Sequence, residues 1–161
     1  MLPKIFILTG PIQSGKTSIL LQWCNGKLNV YGILTPVING KRLFKDIAST
    51  NAFAMEVAEH EIDTLQVGRF VFSAAAFSKA NELLILAHAN TANTNSWLVI
   101  DEIGPLELKQ QGLYKSVQKI TSAPSCNTIL VVREYLVEEV SKFFCITPTV
   151  IGIKEMSSLD L

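Results

Sequence analysis

The sequence predicts an α/β protein built in three layers, with a mostly parallel, partly mixed central sheet carrying a β-hairpin or meander insertion. Three observations lead there. Short apolar runs of buried-strand type alternate with stretches of helical period over much of the chain. Residues 30–72 interrupt that alternation with consecutive strand-like runs, which a purely parallel sheet does not accommodate. The first apolar run, Ile5-Phe6-Ile7-Leu8, leads into Gly10-Pro11-Ile12-Gln13-Ser14-Gly15-Lys16-Thr17, and Thr17 to Trp23 then continues as a helix.

That last string has the spacing G-x-x-x-x-G-K-[ST], and strand, loop and helix is the context in which it binds phosphate. Backbone N–H groups from Gly10 through Ser18 form an anion nest, and the helix start adds unpaired N–H groups and partial positive charge. Lys16 supplies a full charge between the β- and γ-phosphates. The Thr17 hydroxyl is placed to ligate Mg²⁺. Gly10 and Gly15 keep Cβ atoms away where backbone must touch phosphate.

Further along, Asn25-Gly26 stops the helix and Val30 to Thr35 reads as a strand closed by Pro36. Val37 to Phe44 carries Asn39-Gly40, a type I′ hairpin signal, and Lys45 to Ala48 continues the returning strand. Phe53–Val57 and Val67–Phe72 are two more strand-like runs, joined by a polar, acidic stretch from Glu59 to Gln66. From Ala74 the period changes: Phe77, Ala80, Leu84 and Ala87 share a helical face that ends near Asn90 to Asn95. Trp97–Ile100 is a buried strand, and Pro105–Ile120 reads as one helix with Pro105 in its first turn. Thr128–Val132 is the next strand, Leu136–Phe144 a helix and Thr149–Ile153 the closing strand. With no repeat or linker, residues 1–161 are expected to form a single nucleotide-binding domain.

The strand at Trp97–Ile100 delivers Asp101-Glu102 at its C-terminal edge, where open α/β sheets hold their ligands. This is the Walker B pattern. Asp101 is expected to hold Mg²⁺ through water, since that ion keeps much of its hydration shell. Glu102 points elsewhere and is suited to orient or deprotonate a water attacking the γ-phosphate. Arg133 follows the strand Thr128–Val132 at the same edge. It either contacts the γ-phosphate as an internal arginine finger or pairs at the surface with Glu134 or Glu138, and the sequence leaves both open. Lys41 and Arg42 lie just past a hairpin turn and read as exposed charges. His88 lies near an apolar helix face without a base or metal partner close in sequence, which reads as structural.

Composition narrows the classes. The chain has 161 residues, 48% of them hydrophobic and 17% charged, with formal net charge zero and no long Lys/Arg run. That leaves no electrostatic footprint for nucleic acid or an anionic membrane. Cys24, Cys126 and Cys145 are three in number and widely spaced, which suits buried thiols in a reducing cytoplasm better than disulfides or zinc. The N-terminal apolar run of four residues is too short for a signal peptide or a span. No residue pattern names an oligomeric state.

The sequence resembles the THEP1-type nucleoside triphosphatase family. The residues that carry the likeness are Thr9-Gly10 with Gly15-Lys16-Thr17, Gly32-Ile33-Leu34-Thr35-Pro36 with Gly40-Lys41-Arg42, and Val67-Gly68-Arg69-Phe70-Val71-Phe72 with Phe77. The most specific string is Val99-Ile100-Asp101-Glu102-Ile103-Gly104-Pro105-Leu106-Glu107-Leu108, and the likeness covers roughly residues 4 to 135. It implies a P-loop NTPase fold that hydrolyses nucleoside triphosphates, ATP or GTP among them, to diphosphate and phosphate. The implied reaction is slow, broad in base preference and Mg²⁺-dependent. It also implies that Gly10 to Ser18 form the phosphate loop, that Asp101 and Glu102 are the Walker B pair, and, more loosely, that Arg133 is a basic residue after the next strand. The likeness raises Lys41 and Arg42 above ordinary surface charges. The chain departs from the family at Gln13, where a glycine is usual, in Leu43 to Ile47, and after Phe144.

Two other functions fit the same loop. A kinase for a nucleotide, nucleoside or other small acceptor would use Glu102 as base on a hydroxyl. Three arginines in all, with no Arg-rich insertion, disfavour a lid that clamps two phosphorylated substrates. A regulatory nucleotide-binding module with little turnover is the third reading, and Asn25-Gly26-Lys27-Leu28 supplies no guanine-reading N-K-x-D motif for a GTPase switch.

Overall fold

A computed structural model describes residues 2–58, 61–91 and 95–159. The chain begins with strand β1 (Ile5–Leu8) and helix α1 (Lys16–Cys24). It continues through β2 (Val30–Leu34), β3 (Val37–Ile38), β4 (Lys41–Asp46), β5 (Ala52–Ala54), β6 (Thr64–Val67) and β7 (Phe70–Ser73). Helix α2 (Ala74–Asn90), strand β8 (Trp97–Ile103), and helices α3 (Pro105–Leu108) and α4 (Tyr114–Ser122) follow. The chain then forms β9 (Asn127–Val132), a 3₁₀ turn at Glu134–Leu136, α5 (Val137–Phe143), β10 (Thr149–Ile151) and α6 (Ile153–Met156).

The central sheet runs β10-β1-β9-β8-β2-β4-β3, with β5 paired to β4. Strands β10, β1, β9, β8 and β2 are mutually parallel, whereas β4 is antiparallel to β2, and β3 and β5 are antiparallel to β4. The mixed character therefore sits at one edge, where the hairpin and meander were expected. Asn39 and Gly40 both take positive φ, 51° and 76°, as a type I′ turn requires.

Period-two alternation sorts the parallel strands onto two cores. Leu8, Trp97, Val99, Ile129 and Val131 face α1 and α6, burying Leu20, Trp23 and Met156. Ile7, Leu98, Ile100, Leu130 and Val132 face the other way onto α2, α4 and α5. Gly32 on β2 is fixed by the same packing. Its φ is +117°, and a Cβ there would land on the backbone of Val99 in the adjacent strand.

Three expectations are corrected. Val67–Phe72 is not one strand: the chain reverses at Gly68-Arg69, and Val67 pairs with Phe70 in a separate two-stranded sheet. Gly68 at φ +57° supplies the first position of that two-residue turn. Pro105–Ile120 is two helices rather than one, because Gln110 and Gly112 take φ of 60° and 61° between them. Buried Glu107 accepts from Gly104 N–H at 2.8 Å and Leu113 N–H at 2.9 Å, tying the two helix starts together. The closing strand stops at Ile151, where Gly152 leads into α6. Parts of the Glu59–Gln66 connection and of the segment after Asn90, namely residues 59–60 and 92–94, lie outside the described residues.

Candidate active site

The phosphate-binding string forms a loop between β1 and α1, and its sharpest local demand falls on Gly15. That residue is the N-cap of α1 at φ +85°, which an L side chain adopts at a cost. Gln13 takes φ +59°, a left-handed conformation that glycine adopts more readily than glutamine. Gly10 leaves room for Ser14, whose Oγ would stand 3.0 Å from any Cβ at position 10. Lys16 folds back over the loop: its Nζ donates to Gly10 O at 3.2 Å, Pro11 O at 2.9 Å and Ser14 Oγ at 3.5 Å.

Thr17 turns the other way, toward the sheet. Its Oγ1 donates to Asp101 Oδ2 at 2.8 Å, so the first turn of α1 and the end of β8 meet. Asp101 is 1% exposed and also accepts the Thr35 N–H at 3.1 Å. Burial pushes its carboxyl above the usual carboxylate range. The Thr35 N–H and the Thr17 hydroxyl oppose that shift, neighbouring Glu102 adds to it, and the nearby Thr35 hydroxyl opposes it further. A buried carboxylate beside a hydroxyl is an all-oxygen donor set, and among the described residues no cationic side chain pairs with it. It fits Mg²⁺, a hard cation bound through one or two carboxylates and retained waters. Among the described residues no group of three or more His, Cys, Asp and Glu side chains is arranged to hold a metal by protein ligands alone.

Glu102, the next residue, is held apart from Asp101. The β8–β9 register shifts between Ile100 and Ile103, and the Glu102 side chain emerges between two arginines. Its Oε2 accepts from Arg42 Nη1 at 3.1 Å and its Oε1 from Arg133 Nε at 3.0 Å. Arg133 therefore pairs with neither Glu134 nor Glu138. Glu138 instead pairs with Lys142 at 2.6 Å. Burial depresses the Arg133 guanidinium, but Glu102 and the Tyr135 phenol outweigh this and hold it above its ordinary value. Arg42 corrects the reading of an exposed charge, since it is half-buried and directed at Glu102, whereas Lys41 remains exposed. His88 lies away from this edge, with Nε2 2.9 Å from Ala123 O.

The structure thus brings Lys16, Thr17, Asp101, Glu102 and Arg133 to one edge of the parallel sheet. Residue-by-residue reading missed Thr35 and Glu107 there. Thr35 ends β2 at the same C-terminal edge as Asp101, and that edge rule was the available signal. Glu107 is 3% exposed and burial raises its carboxyl to about 7, against the two backbone N–H groups it accepts. Its only advance signal was membership of the string after Glu102.

A family model described as NTPase matches residues 5–149. The chain belongs to that NTPase family. It is accordingly a hydrolase acting on nucleoside triphosphates. Two solved structures share the fold of this NTPase. THEP1 from the hyperthermophile Aquifex aeolicus superposes with a TM-score of 0.70 at 19% identity, covering 92% of this chain and 87% of that one. A human cancer-related nucleoside triphosphatase superposes with a TM-score of 0.71 at 21% identity, covering 98% of this chain and 95% of that one. No curated protein matches the sequence significantly. Among the described residues, no helix of the NTPase is long and apolar enough to cross a membrane.

Proposed function

We propose that this NTPase cleaves the β–γ phosphoanhydride of several nucleoside triphosphates in an Mg²⁺-dependent reaction, with little base preference, as a single domain in the cytoplasm. The observation that carries the reading is the 2.8 Å bond from Thr17 to Asp101, which sets the phosphate loop against the carboxylate pair. Thr17 and Asp101 would hold the ion, which when bound offsets phosphate charge.

The chain's own residues do the rest. Loop N–H groups from Gly10 to Ser18 bind the β-phosphate, and the Lys16 ammonium exchanges its loop carbonyls for phosphate oxygens. Glu102 accepts a proton from the attacking water as that water's oxygen bonds to the γ-phosphorus. The bond to the bridging oxygen breaks and the nucleoside diphosphate leaves. Arg133 and Arg42 hold the Glu102 carboxylate between them, and as cations at the same edge they stabilise charge on the transferring group.

Phosphate release from ATP, GTP, CTP and UTP, measured with and without Mg²⁺ on native protein and Glu102→Gln, tests this. Release from all four is expected, with the variant reduced about 10²-fold or more and nucleotide affinity kept, the scale on which a lost general base acts. Loss of affinity with preserved turnover would reverse the roles given to Asp101 and Glu102.

A further inference from the structure

Glu102 stands on a stretch of β8 that the sheet holds poorly. Ile100 pairs with Leu130 of β9 and Ile103 with Val132, so three steps along β8 match two along β9. The extra residue makes a bulge, which disrupts the ladder locally and re-aims a side chain. On the other side of β8, pairing with β2 ends at Ile100. Packing does not confine Glu102 either. Its side chain borders a cavity of about 70 Å³, room for several waters at roughly 10–15 Å³ each. The carboxylate therefore needs anchors along its backbone as well as the two arginines at its tip.

The anchor ahead of it is Asp101, whose Oδ2 takes the Thr17 hydroxyl and the Thr35 N–H. After the single pair at Ile103, the anchor behind it is Glu107. Its Oε2 accepts the N–H of Gly104, two residues past Glu102, at 2.8 Å. A glutamate at the third helical position that bonds back to the N-cap is a common device. The chain holds a plain example at α6, where exposed Glu155 takes the Gly152 N–H at 3.0 Å with one oxygen. Glu107 goes further. It is 3% exposed, its second oxygen accepts the Leu113 N–H at 2.9 Å, and it borders the same cavity as Glu102. Capping requires none of this. Burial raises its carboxyl to about 7 against the two N–H groups, a cost that an exposed cap avoids. Position 112 serves the same contact: Gly112 has φ +61°, and a Cβ there would collide with Glu107 Oε1. Asn81 donates to the Gly112 carbonyl at 2.9 Å and so ties the clamp to α2.

We propose that Glu107 is a positioning residue for Glu102: its hold on the Gly104 N–H fixes the backbone beyond the bulge and so aims the Glu102 carboxylate at the attacking water. The inference rests on the reading of Glu102 as the base. In this role Glu107 gives and takes no proton and acts only through the backbone it holds.

Glu107→Gln keeps the shape but accepts from only one of the two N–H groups. Gly112→Ala keeps the acid and pushes its carboxylate aside, and serves equally should Glu107→Gln not fold. Steady-state phosphate release from ATP with Mg²⁺ is measured on native full chain, these variants, Glu102→Gln and the two double variants, with thermal melts confirming the fold of each. Either change is expected to lower kcat about tenfold, the scale of misplacing a catalytic group, and to leave KM within about twofold because the phosphate loop is untouched. In the Glu102→Gln background the same change should cost less than about twofold, since no base is left to aim. A loss of equal factor in both backgrounds overturns the positioning role, and so does a rise in KM with kcat kept. Native kcat in Glu107→Gln also overturns it, and Glu102 stands as the base if Glu102→Gln is slow. Glu102→Gln turning over at the native rate overturns the base reading instead, and the positioning role falls with it.

Discussion

Arg42 reaches across 60 positions of sequence to donate its Nη1 to Oε2 of Glu102 at 3.1 Å. Arg133 takes the other carboxylate oxygen, so guanidinium groups from β4 and from the end of β9 share one acid. Arg42, Arg133 and Glu102 each retain 23–34% side-chain exposure. Pairs this accessible add little to stability, about 1 kcal/mol or less, so the arrangement matters for where it points Glu102. Arg42→Ala and Arg133→Ala are each expected to lower kcat about 10- to 100-fold, the scale of misplacing a catalytic group, with small changes in thermal stability. The double variant should lose less than the product of the two, because both act on one carboxylate. Steady-state phosphate release from the four proteins checks this, and strictly multiplicative losses would mean that the arginines act independently.

Lys16 is the only full positive charge inside the phosphate loop, and its three acceptors all belong to the loop itself. Removing it leaves the nest to hold triphosphate by backbone N–H groups alone. Lys16→Ala should lower turnover by about 10² to 10³-fold, the scale of losing one electrostatic donor to developing charge. Turnover and nucleotide titration measured together test it. Activity close to native would refute the placement of phosphate in this loop.

The fold was legible where one physical signal acted alone. Strand, glycine-rich loop and helix specify β1, the loop and α1 without further help, and Asn39-Gly40 specifies its hairpin. That Asp101 and Glu102 point to different surroundings was legible because the pair follows a buried apolar run at the ligand-binding edge of the sheet. Legibility failed where a turn hides inside an apolar run. Val67 to Phe72 keeps strand-like residues on both sides of Gly68, and hydrophobicity does not reveal the reversal. It failed again at Gly112, where a single glycine inside a helical pattern marks a break made by Glu107 reaching two backbone N–H groups. The family likeness raised Arg42, but its pairing with Glu102 was hidden for a third reason. Local sequence places it next to an exposed turn, and its partner comes from a strand that only the folded sheet brings near.

Gly32 offers a sharper test of sheet packing. Its φ of +117° is costly for any L residue, and a Cβ would stand 2.8 Å from Val99 N and closer still to the Val99 carbonyl oxygen. Neither atom moves without separating β2 from β8. Gly32→Ala should therefore cost more than about 4 kcal/mol or abolish folding, among the largest effects of a single change. Gly40→Ala is the control, since Gly40 also has positive φ, +76°, but nothing lies within 4 Å of the added Cβ. That variant should lose only about 1–2 kcal/mol from the left-handed backbone. Urea melts of both rank them, and equal losses would show that the β2–β8 approach is looser than described.

Glu107 makes stability depend on pH in a predictable direction. Burial raises its carboxyl from 4.5 to about 7, with Glu102 adding a smaller repulsion and the Leu113 and Gly104 N–H groups opposing both. The folded chain therefore holds this proton more tightly than the unfolded chain does. Between pH 4.5 and about 7 the native state carries the proton and the unfolded state does not, so stability falls as pH rises through that window. The contribution is fully present below pH 4.5 and lost above about 7, and a carboxyl so displaced corresponds to roughly 3 kcal/mol. Glu107→Gln removes the titration. It also sets an amide N–H₂ against one of the two backbone donors, which costs about 1–3 kcal/mol at every pH. The stability of native protein minus that of Glu107→Gln should accordingly decline from pH 4.5 to 7 and stay level beyond it. Urea melts at half-unit pH intervals measure that difference, and parallel curves for the two proteins would show that Glu107 is not the group that titrates.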